Sequence, residues 1–429
     1  MNPSPLPHPS SAVLGAIKAA LNNCDYDRFL SLESWFHSNI VKAIENQSHH
    51  ETCFNEFESL SIRYGNVLRD QIKLNHTTPK MSRRVCYLLP NIDNDLAHVE
   101  FLYNVLKHHP PNSDIRIVIA GYFASNVNTR PASRYLSQLA TEGRVELQKF
   151  ADNHQGRLTL LNFLLSKNFS QLIVYSVPLN LASWVRALGP ELVTWVTSKF
   201  ELNAFSELTN RVSFAGDGTG RYSSCNGWIR TPLTLNRSAI TSFEAPGRPR
   251  TRLISINRAE KIRTEEFLSA ICRILRSESD TTFAWTGRRL DPGIQERFER
   301  EGLSGRCDFI GWVDPHSTFH RYDIFLDCFG LSGLVAATAF ASGMPTVFFK
   351  GSRSFVEFYE KRLLCCDLPS ESVLATTIES YVKNVVSLIR DPSKYEERSK
   401  AQKKFSAIVF FDETLMYDAH VQIVRTLIR

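Results

Sequence analysis

Residues 323–349 read DIFLDCFGLSGLVAATAFASGMPTVFF. The apolar run 324–329 has the length of a buried strand, and GLSG at 330–333 is a turn. LVAATAFASG at 334–343 is a run of small residues suited to a helix packed closely on a sheet, and the Gly-Met-Pro at 343–345 ends it before a second apolar run. A strand, a glycine loop, a helix and a strand make the crossover unit of a parallel sheet. The unpaired N–H groups at the start of such a helix, with Ser332 beside them, suit an anion such as phosphate. Equally, Gly330 and Gly333 read as a plain turn, with Ala336, Ala337 and Ala339 as packing choices.

The same alternation extends toward the N-terminus. RLISINR (252–258), TTFAWTG (281–287) and CDFIGWV (307–313) read as strands, with TEEFLSAICRILRSES, IQERFEREGL and STFHRY as the helices between them. An earlier series begins at RRVCYLLPN (83–91) and runs through DIRIVIAGY, VELQKF, QLIVYSV and ELVTWVTSKF, again with helical segments between. Two alternating series predict an α/β chain of two Rossmann-like domains facing a cleft, with ligands held where loops leave the carboxyl ends of strands. Residues 11–74 show helical periodicity, so the division is a helical N-terminal region at 1–80, a first Rossmann-like domain at 81–237 and a proline-bearing linker at 238–250. A second Rossmann-like domain at 251–400 and C-terminal helices at 401–429 complete it. The N-terminal helices read as an acceptor-docking surface, an oligomer contact or a cover for the first sheet.

Composition sets outer bounds. A 429-residue chain, 43% hydrophobic and 22% charged, is globular and holds more than one domain. No apolar run reaches the roughly 18 residues of a membrane span, and the opening MNPSPLPHPSSAVLGAIKAAL lacks a basic leader, which suggests a cytoplasmic protein. Nine cysteines without paired spacing argue against a zinc or disulfide framework. A net charge of +6 spread along the chain suits an anionic small ligand and not a nucleic acid.

Candidate ligand groups cluster after strands. Arg258, Lys261 and Arg263 follow Asn257 in one strand-to-helix loop, where three cations can neutralise a diphosphate or form a solvated basic loop. In the first series Asp93, Asp95 and His98 follow the first strand. An imidazole there can accept a proton near neutral pH, and a helix-start histidine can equally make ordinary hydrogen bonds. The Asp93-Asn94-Asp95 and Asp25-Tyr26-Asp27 triplets match a short metal-binding signature but read better as helix caps, so no metal is expected. Trp195 and Lys199 follow a later strand, and the glycine-rich AGDGTGRYSS (215–224) offers Asp217 and Arg221; these two segments and Asp95 are the acceptor-side candidates. That turn is neither a P-loop nor a dinucleotide fingerprint.

The order NRAEKI plus helix, AWTG, FIGWVDP, STFHRYDIFLDCF, a Gly/Ser loop and ASGMP covers about residues 251–350. It resembles the donor-binding half of the GT-B glycosyltransferases, most closely the O-linked N-acetylglucosamine transferases and the bacterial adhesin glucosyltransferases. The resemblance implies a metal-independent transfer of a sugar from a nucleotide diphosphate, UDP-linked, to a protein or glycan acceptor, with no other cofactor. It implies Lys261 on the diphosphate as a catalytic group, Asn257 and Arg258 beside it, Gly330, Ser332 and Gly333 as the cradle, and Val313, Asp314 and His316 near the base. It implies His98 at the active site. Protein acceptors and inversion go with the nearest families, glycan or lipid-linked acceptors and retention with the broader group. Thr338 stands where these helices commonly carry an acidic residue, which leaves open a non-catalytic sugar-nucleotide or partner-binding protein on the same framework.

Overall fold

The computed structural model describes residues 9–36, 47–72, 82–92, 97–123, 133–175, 181–197, 208, 210–213, 223–225, 228–231, 233–235, 237, 240–244, 250–287, 289–329, 334–350, 363, 366–412 and 414–428. The chain divides into two compact units. Met1–Phe214, Tyr222–Arg230 and Tyr417–Arg429 form the first; Ala215–Arg221 and Thr231–Met416 form the second.

The first unit opens with three helices, α1 (Pro9–Asn22), α2 (Tyr26–Phe36) and α3 (Gln47–Gln71). Then come β1 (Arg84–Leu89), α4 (Ala97–Leu106), β2 (Arg116–Phe123), α5 (Arg134–Thr141), β3 (Glu146–Ala151), α6 (His154–Ser166), β4 (Gln171–Tyr175), α7 (Leu181–Leu188) and β5 (Val193–Thr197). Three short strands follow, β6 (Asn210–Ser213), β7 (Ser223–Cys225) and β8 (Trp228–Arg230). The sheet runs β3-β2-β1-β4-β5-β6-β8-β7, parallel throughout except for the β7–β8 pair. Its chain order reverses between β1 and β4, the switch point at which open parallel sheets hold ligands.

The N-terminal helices are a cover for this sheet. Their buried side chains, among them Ile17, Phe29, Phe36, Phe57 and Tyr64, share one hydrophobic core with Leu88, Val118, Phe150 and Trp184. On α3, Phe57, Leu60, Tyr64 and Leu68 recur at helical spacing and are all buried, each worth roughly 2 kcal/mol. Gly65 lets α3 approach α7: a β-carbon there would sit 2.6 Å from the Ser183 carbonyl oxygen. A polar knot lies inside. Glu33 of α2 is fully buried and accepts a hydrogen bond from Ser61 of α3. Burial pushes its carboxyl up to about 7, against the pull of Ser61 and of the buried Arg157 guanidinium on α6. Arg157 also pairs with Asp152 at 3.0 Å and lies over the Tyr122 ring at 4.7 Å. In the Asp25-Tyr26-Asp27 triplet, Asp25 accepts the Arg28 N–H at 3.2 Å in the first turn of α2, whereas Asp27 lies within α2 and accepts the N–H of His154, the first residue of α6, at 2.7 Å.

The second unit continues with β9 (Arg252–Ser255), α8 (Ala259–Ile262), α9 (Glu265–Ser277), β10 (Thr282–Trp285), α10 (Pro292–Arg300) and β11 (Cys307–Phe309). It goes on with α11 (Pro315–Thr318), β12 (Ile324–Leu326), α12 (Leu334–Ser342), β13 (Thr346–Phe349), α13 (Ser370–Val373), β14 (Leu374–Ala375), α14 (Ile378–Arg390) and α15 (Pro392–Val409). The sheet order is β11-β10-β9-β12-β13-β14, all parallel, with its own switch point between β9 and β12. Amphipathic α9 buries Phe267, Leu268, Ile271, Cys272 and Leu275 on one face. Buried Ser399 and Gln402 of α15 bond the carbonyls of Gly343 and Met344, at 2.7 and 2.8 Å, and so fix the turn after α12.

Two sequence boundaries move. The division at residue 400 falls inside α15, and the chain from Tyr417 groups with the first unit through α16 (Leu415–Leu427). There His420 is buried against the Tyr87 hydroxyl, and Tyr417 meets His109 at 3.2 Å. The segment read as a linker is docked on the second unit: the Phe243 N–H bonds the Ser342 carbonyl at 2.9 Å and its ring is buried.

Candidate functional site

In the second unit the two loops singled out in the sequence leave the strands that flank the switch point. Register places Leu253 beside Ile324 and Ile254 beside Phe325, so β9 and β12 end side by side. After β9 the chain is held by one hydroxyl. Thr286 Oγ1 accepts the Asn257 N–H at 3.1 Å and donates to the Asn257 carbonyl at 3.2 Å, while the Asn257 side chain reaches Ser255 Oγ at 3.2 Å. Arg258 then starts α8 as an exposed residue, Lys261 is half-buried, Ile262 is fully buried as the anchor, and Arg263 is exposed. The basic side chains are thus presented from a pinned turn at a carboxyl edge.

After β12, Asp327 and Cys328 are buried, and the Tyr381 hydroxyl donates to the Asp327 carbonyl at 2.9 Å. The Phe329 ring stacks on Phe349 with centroids 4.0 Å apart. These contacts fix where the loop departs and where β13 ends. Gly330, Ser332 and Gly333 lie outside the described residues. The chain is described again at Leu334, the first residue of α12, whose Ala336, Ala337, Ala339 and Ala341 are buried. Thr338 is buried one turn in, and its hydroxyl donates to the Leu334 carbonyl of its own helix at 2.9 Å. Its donor is therefore spent within the helix.

The loop after β11 carries the other donor-side candidates. Asp314 is the N-cap of α11: its carboxylate accepts the N–H groups of His316 and Ser317 at 3.3 and 3.2 Å, and Pro315 occupies the first helical position. Asp314 thus shapes this loop with the carboxylate that the sequence reading gave to a ligand. His316 keeps a buried Nδ1 with no hydrogen-bond partner among the described residues, and Val313 is half-buried. Thr286, part of a strand-end TG, was passed over in the sequence and belongs here. Trp312, in the FIGWVDP string that carries the resemblance, is 74% exposed.

In the first unit His98 sits in the second position of α4, after the switch-point strand β1. Its Nε2 is 3.2 Å from the Asn91 carbonyl oxygen. A carbonyl only accepts, so Nε2 carries the hydrogen and Nδ1 keeps the lone pair. Burial lowers the imidazole below its ordinary range, with the Asn91 bond opposing more weakly. A neutral ring with a free lone pair is the state of a general base. The loop beneath it is held because Gly121 of β2 has no side chain: a β-carbon there would lie 2.0 Å from Ile92.

Of the acceptor-side residues, Trp195 is overturned. It lies within β5, not after it, and is fully buried in the core, so it is closed to any ligand. Asp95, Lys199, Asp217 and Arg221 lie outside the described residues.

No family model and no curated protein matches the sequence. Solved structures do. A Thermobaculum terrenum O-GlcNAc transferase mutant superposes with a TM-score of 0.63 at 15% identity, covering 98% of this chain and 85% of its own. The lipopolysaccharide outer core galactosyltransferase WaaB gives 0.54 at 11%, and S. aureus TarM, in complex with fondaparinux, alpha-GlcNAc-glycerol and UDP, gives 0.55 at 8%; each covers 80% of this chain and 99% of its own. Coverage of 98% leaves about nine residues of 429 unmatched, so the first likeness includes the N-terminal helices. Two Rossmann-like parallel sheets, each reversing its strand order at a switch point, and these neighbours together establish that the chain has the GT-B fold.

Proposed function

We propose that the chain is a metal-independent glycosyltransferase that moves a sugar from a nucleotide diphosphate, UDP-linked, to a protein or glycan hydroxyl, acting in the cytoplasm. The observation that carries this reading is the pairing of the Arg258–Lys261 turn after β9 with the α12-bearing loop after β12 at one switch point. Lys261 and Arg258 stabilise the leaving diphosphate, and the N–H groups at the start of α12 add to that field. His98 Nδ1 takes the proton of the acceptor hydroxyl as its oxygen attacks the anomeric carbon, and the C–O bond to the diphosphate breaks. The names of the structural neighbours, O-GlcNAc transferase and galactosyltransferase, and the UDP held by TarM support the donor class.

Thr338 favours a second reading, a binding protein without transfer, because its hydroxyl is tied to Leu334 and brings no carboxylate. A thermal-shift and nucleotide-release panel of UDP-, GDP-, ADP- and dTDP-sugars with EDTA present separates the two. Transfer predicts stabilisation and nucleotide release by the wild type, both lost in Lys261→Ala. Stabilisation without release supports the binder, and no response from any donor removes both readings.

A further inference from the structure

A buried tyrosine clasps each end of β12. Tyr395 of α15 donates its hydroxyl to the Asp323 carbonyl at 2.7 Å, where the chain enters the strand, and Tyr381 of α14 donates to the Asp327 carbonyl at 2.9 Å, where it leaves. Both tyrosines are fully buried, so neither can touch a ligand. The two clasps share their chemistry and differ in place. Only that of Tyr381 lies at the carboxyl edge, beside the switch point between β9 and β12.

At that edge the strand has ended. The Asp327 N–H still bonds the Val347 carbonyl at 3.1 Å, but β12 stops at Leu326, and the Asp327 carbonyl takes its hydrogen bond from the tyrosine side chain. The half-buried Phe329 ring next along the chain meets three others. It stacks on Phe349 of β13 at 4.0 Å between centroids, and it stands edge-on to Tyr381 at 4.9 Å and to Phe267 of α9 at 5.5 Å. Rings in these arrangements attract beyond the area they bury. Phe267 stands in the first turn of α9, and the chain from the cationic turn to it is one hydrogen-bonded piece: the Arg263 N–H bonds the Ala259 carbonyl at 2.9 Å and the Leu268 N–H bonds the Thr264 carbonyl at 3.0 Å. The exit of β12 and the base of the Arg258–Lys261 turn therefore meet where Phe329 packs on Phe267, with the Tyr381 ring against both, 6.4 Å from Phe267.

We infer that Tyr381 is a positioning residue for the donor diphosphate: it sets where the chain leaves β12 and, through Phe329 on Phe267, holds that exit in register with the Arg258–Lys261 turn. This rests on the diphosphate reading of the same switch point. An anion bound by groups from two chain segments is held tightly only when both are fixed before it arrives, because ordering them on binding costs affinity.

The test measures binding of inorganic pyrophosphate and of UDP to wild type, Tyr381→Phe, Tyr395→Phe, Phe329→Leu and Lys261→Ala, below the unfolding transition of each. Each Tyr→Phe change deletes one hydroxyl and keeps the ring, so the two should lower thermal stability alike. Tyr381→Phe should nevertheless weaken pyrophosphate and UDP by one common factor of about three- to tenfold, while Tyr395→Phe binds both as the wild type does. Phe329→Leu keeps apolar bulk, loses the stack and should repeat the Tyr381→Phe loss, which keeps the inference testable even if Tyr381→Phe folds poorly. Equal weakening by Tyr381→Phe and Tyr395→Phe would show general loosening and overturn the positioning role. Wild-type pyrophosphate affinity in Tyr381→Phe or in Phe329→Leu, with Lys261→Ala still defective, overturns it as well and leaves the donor site standing. Failure of the wild type to bind either probe overturns both readings.

Discussion

Replacing Glu33 by Gln tests whether the N-terminal helices are locked to the first sheet by a neutral or an ionised group. Burial holds the Glu33 carboxyl at about 7, against an ordinary value of 4.5. A raised carboxyl means that the folded chain binds a proton the unfolded chain has released, so stability is fully present below about pH 4.5 and is lost as pH rises through 7. The 2.5-unit interval corresponds to about 3 kcal/mol. Gln keeps the shape and still accepts from Ser61, so Glu33→Gln should match the wild type near pH 4.5 and exceed it at pH 8 by about 1–3 kcal/mol, the lower end allowing for the lost attraction to Arg157. In a unit of this size that is a rise of about 2–12 °C in the transition of the first unit, read by calorimetry at the two pH values. A variant less stable at pH 8 than the wild type, or an offset equal at both pH values, would falsify the reasoning and show an ionised Glu33 paired with Arg157.

The other expectations concern the site and the C-terminal helix. His98→Gln should lower kcat by about 10²–10⁴, and because burial lowers the wild-type imidazole, the acid limb of its kcat/KM profile should fall below the ordinary histidine range; a limb at or above that range argues against Nδ1 as the base. Thr286→Val, which removes both bonds to Asn257, should raise donor KM about five- to tenfold, with Thr286→Ser restoring it, whereas a purely structural loss would lower expression without that split. Burial lowers His420 to about 3, so about 5 kcal/mol of stability present above pH 6.5 is lost as pH falls toward 3; His420→Gln should flatten that arm in acid-unfolding scans.

Strand-and-helix alternation was legible because the apolar runs are of strand length and are bounded by turn residues, which favours strands over buried helix segments. The two boundaries that moved, at residue 400 and across 238–250, were not. Nothing in SKYEERSKAQKKFSAIV marks a division, because α15 is one continuous helix whose buried Ser399 and Gln402 look like surface polarity until their bonds to Gly343 and Met344 are seen. Likewise SFEAP reads as polar linker, and only the packed Phe243 shows that it is docked.

Within the candidate site the sequence was informative for charge and blind for aromatics, and one physical difference explains both. An unpaired cation is costly to bury, so Arg258 and Lys261 after a strand announce an edge, and Arg258 is indeed exposed there. An indole is at home in either place. Trp195 in TWVT and Trp312 in GWVD occupy similar apolar strings, yet the first is sealed in β5 and the second is the most exposed large hydrophobic side chain among the described residues. In a parallel sheet covered on both faces, strands carry no polar alternation to reveal where they end. A shift of three residues in that end turns a core residue into an exposed one, so aromatics beside such ends should be assigned only after the register is known.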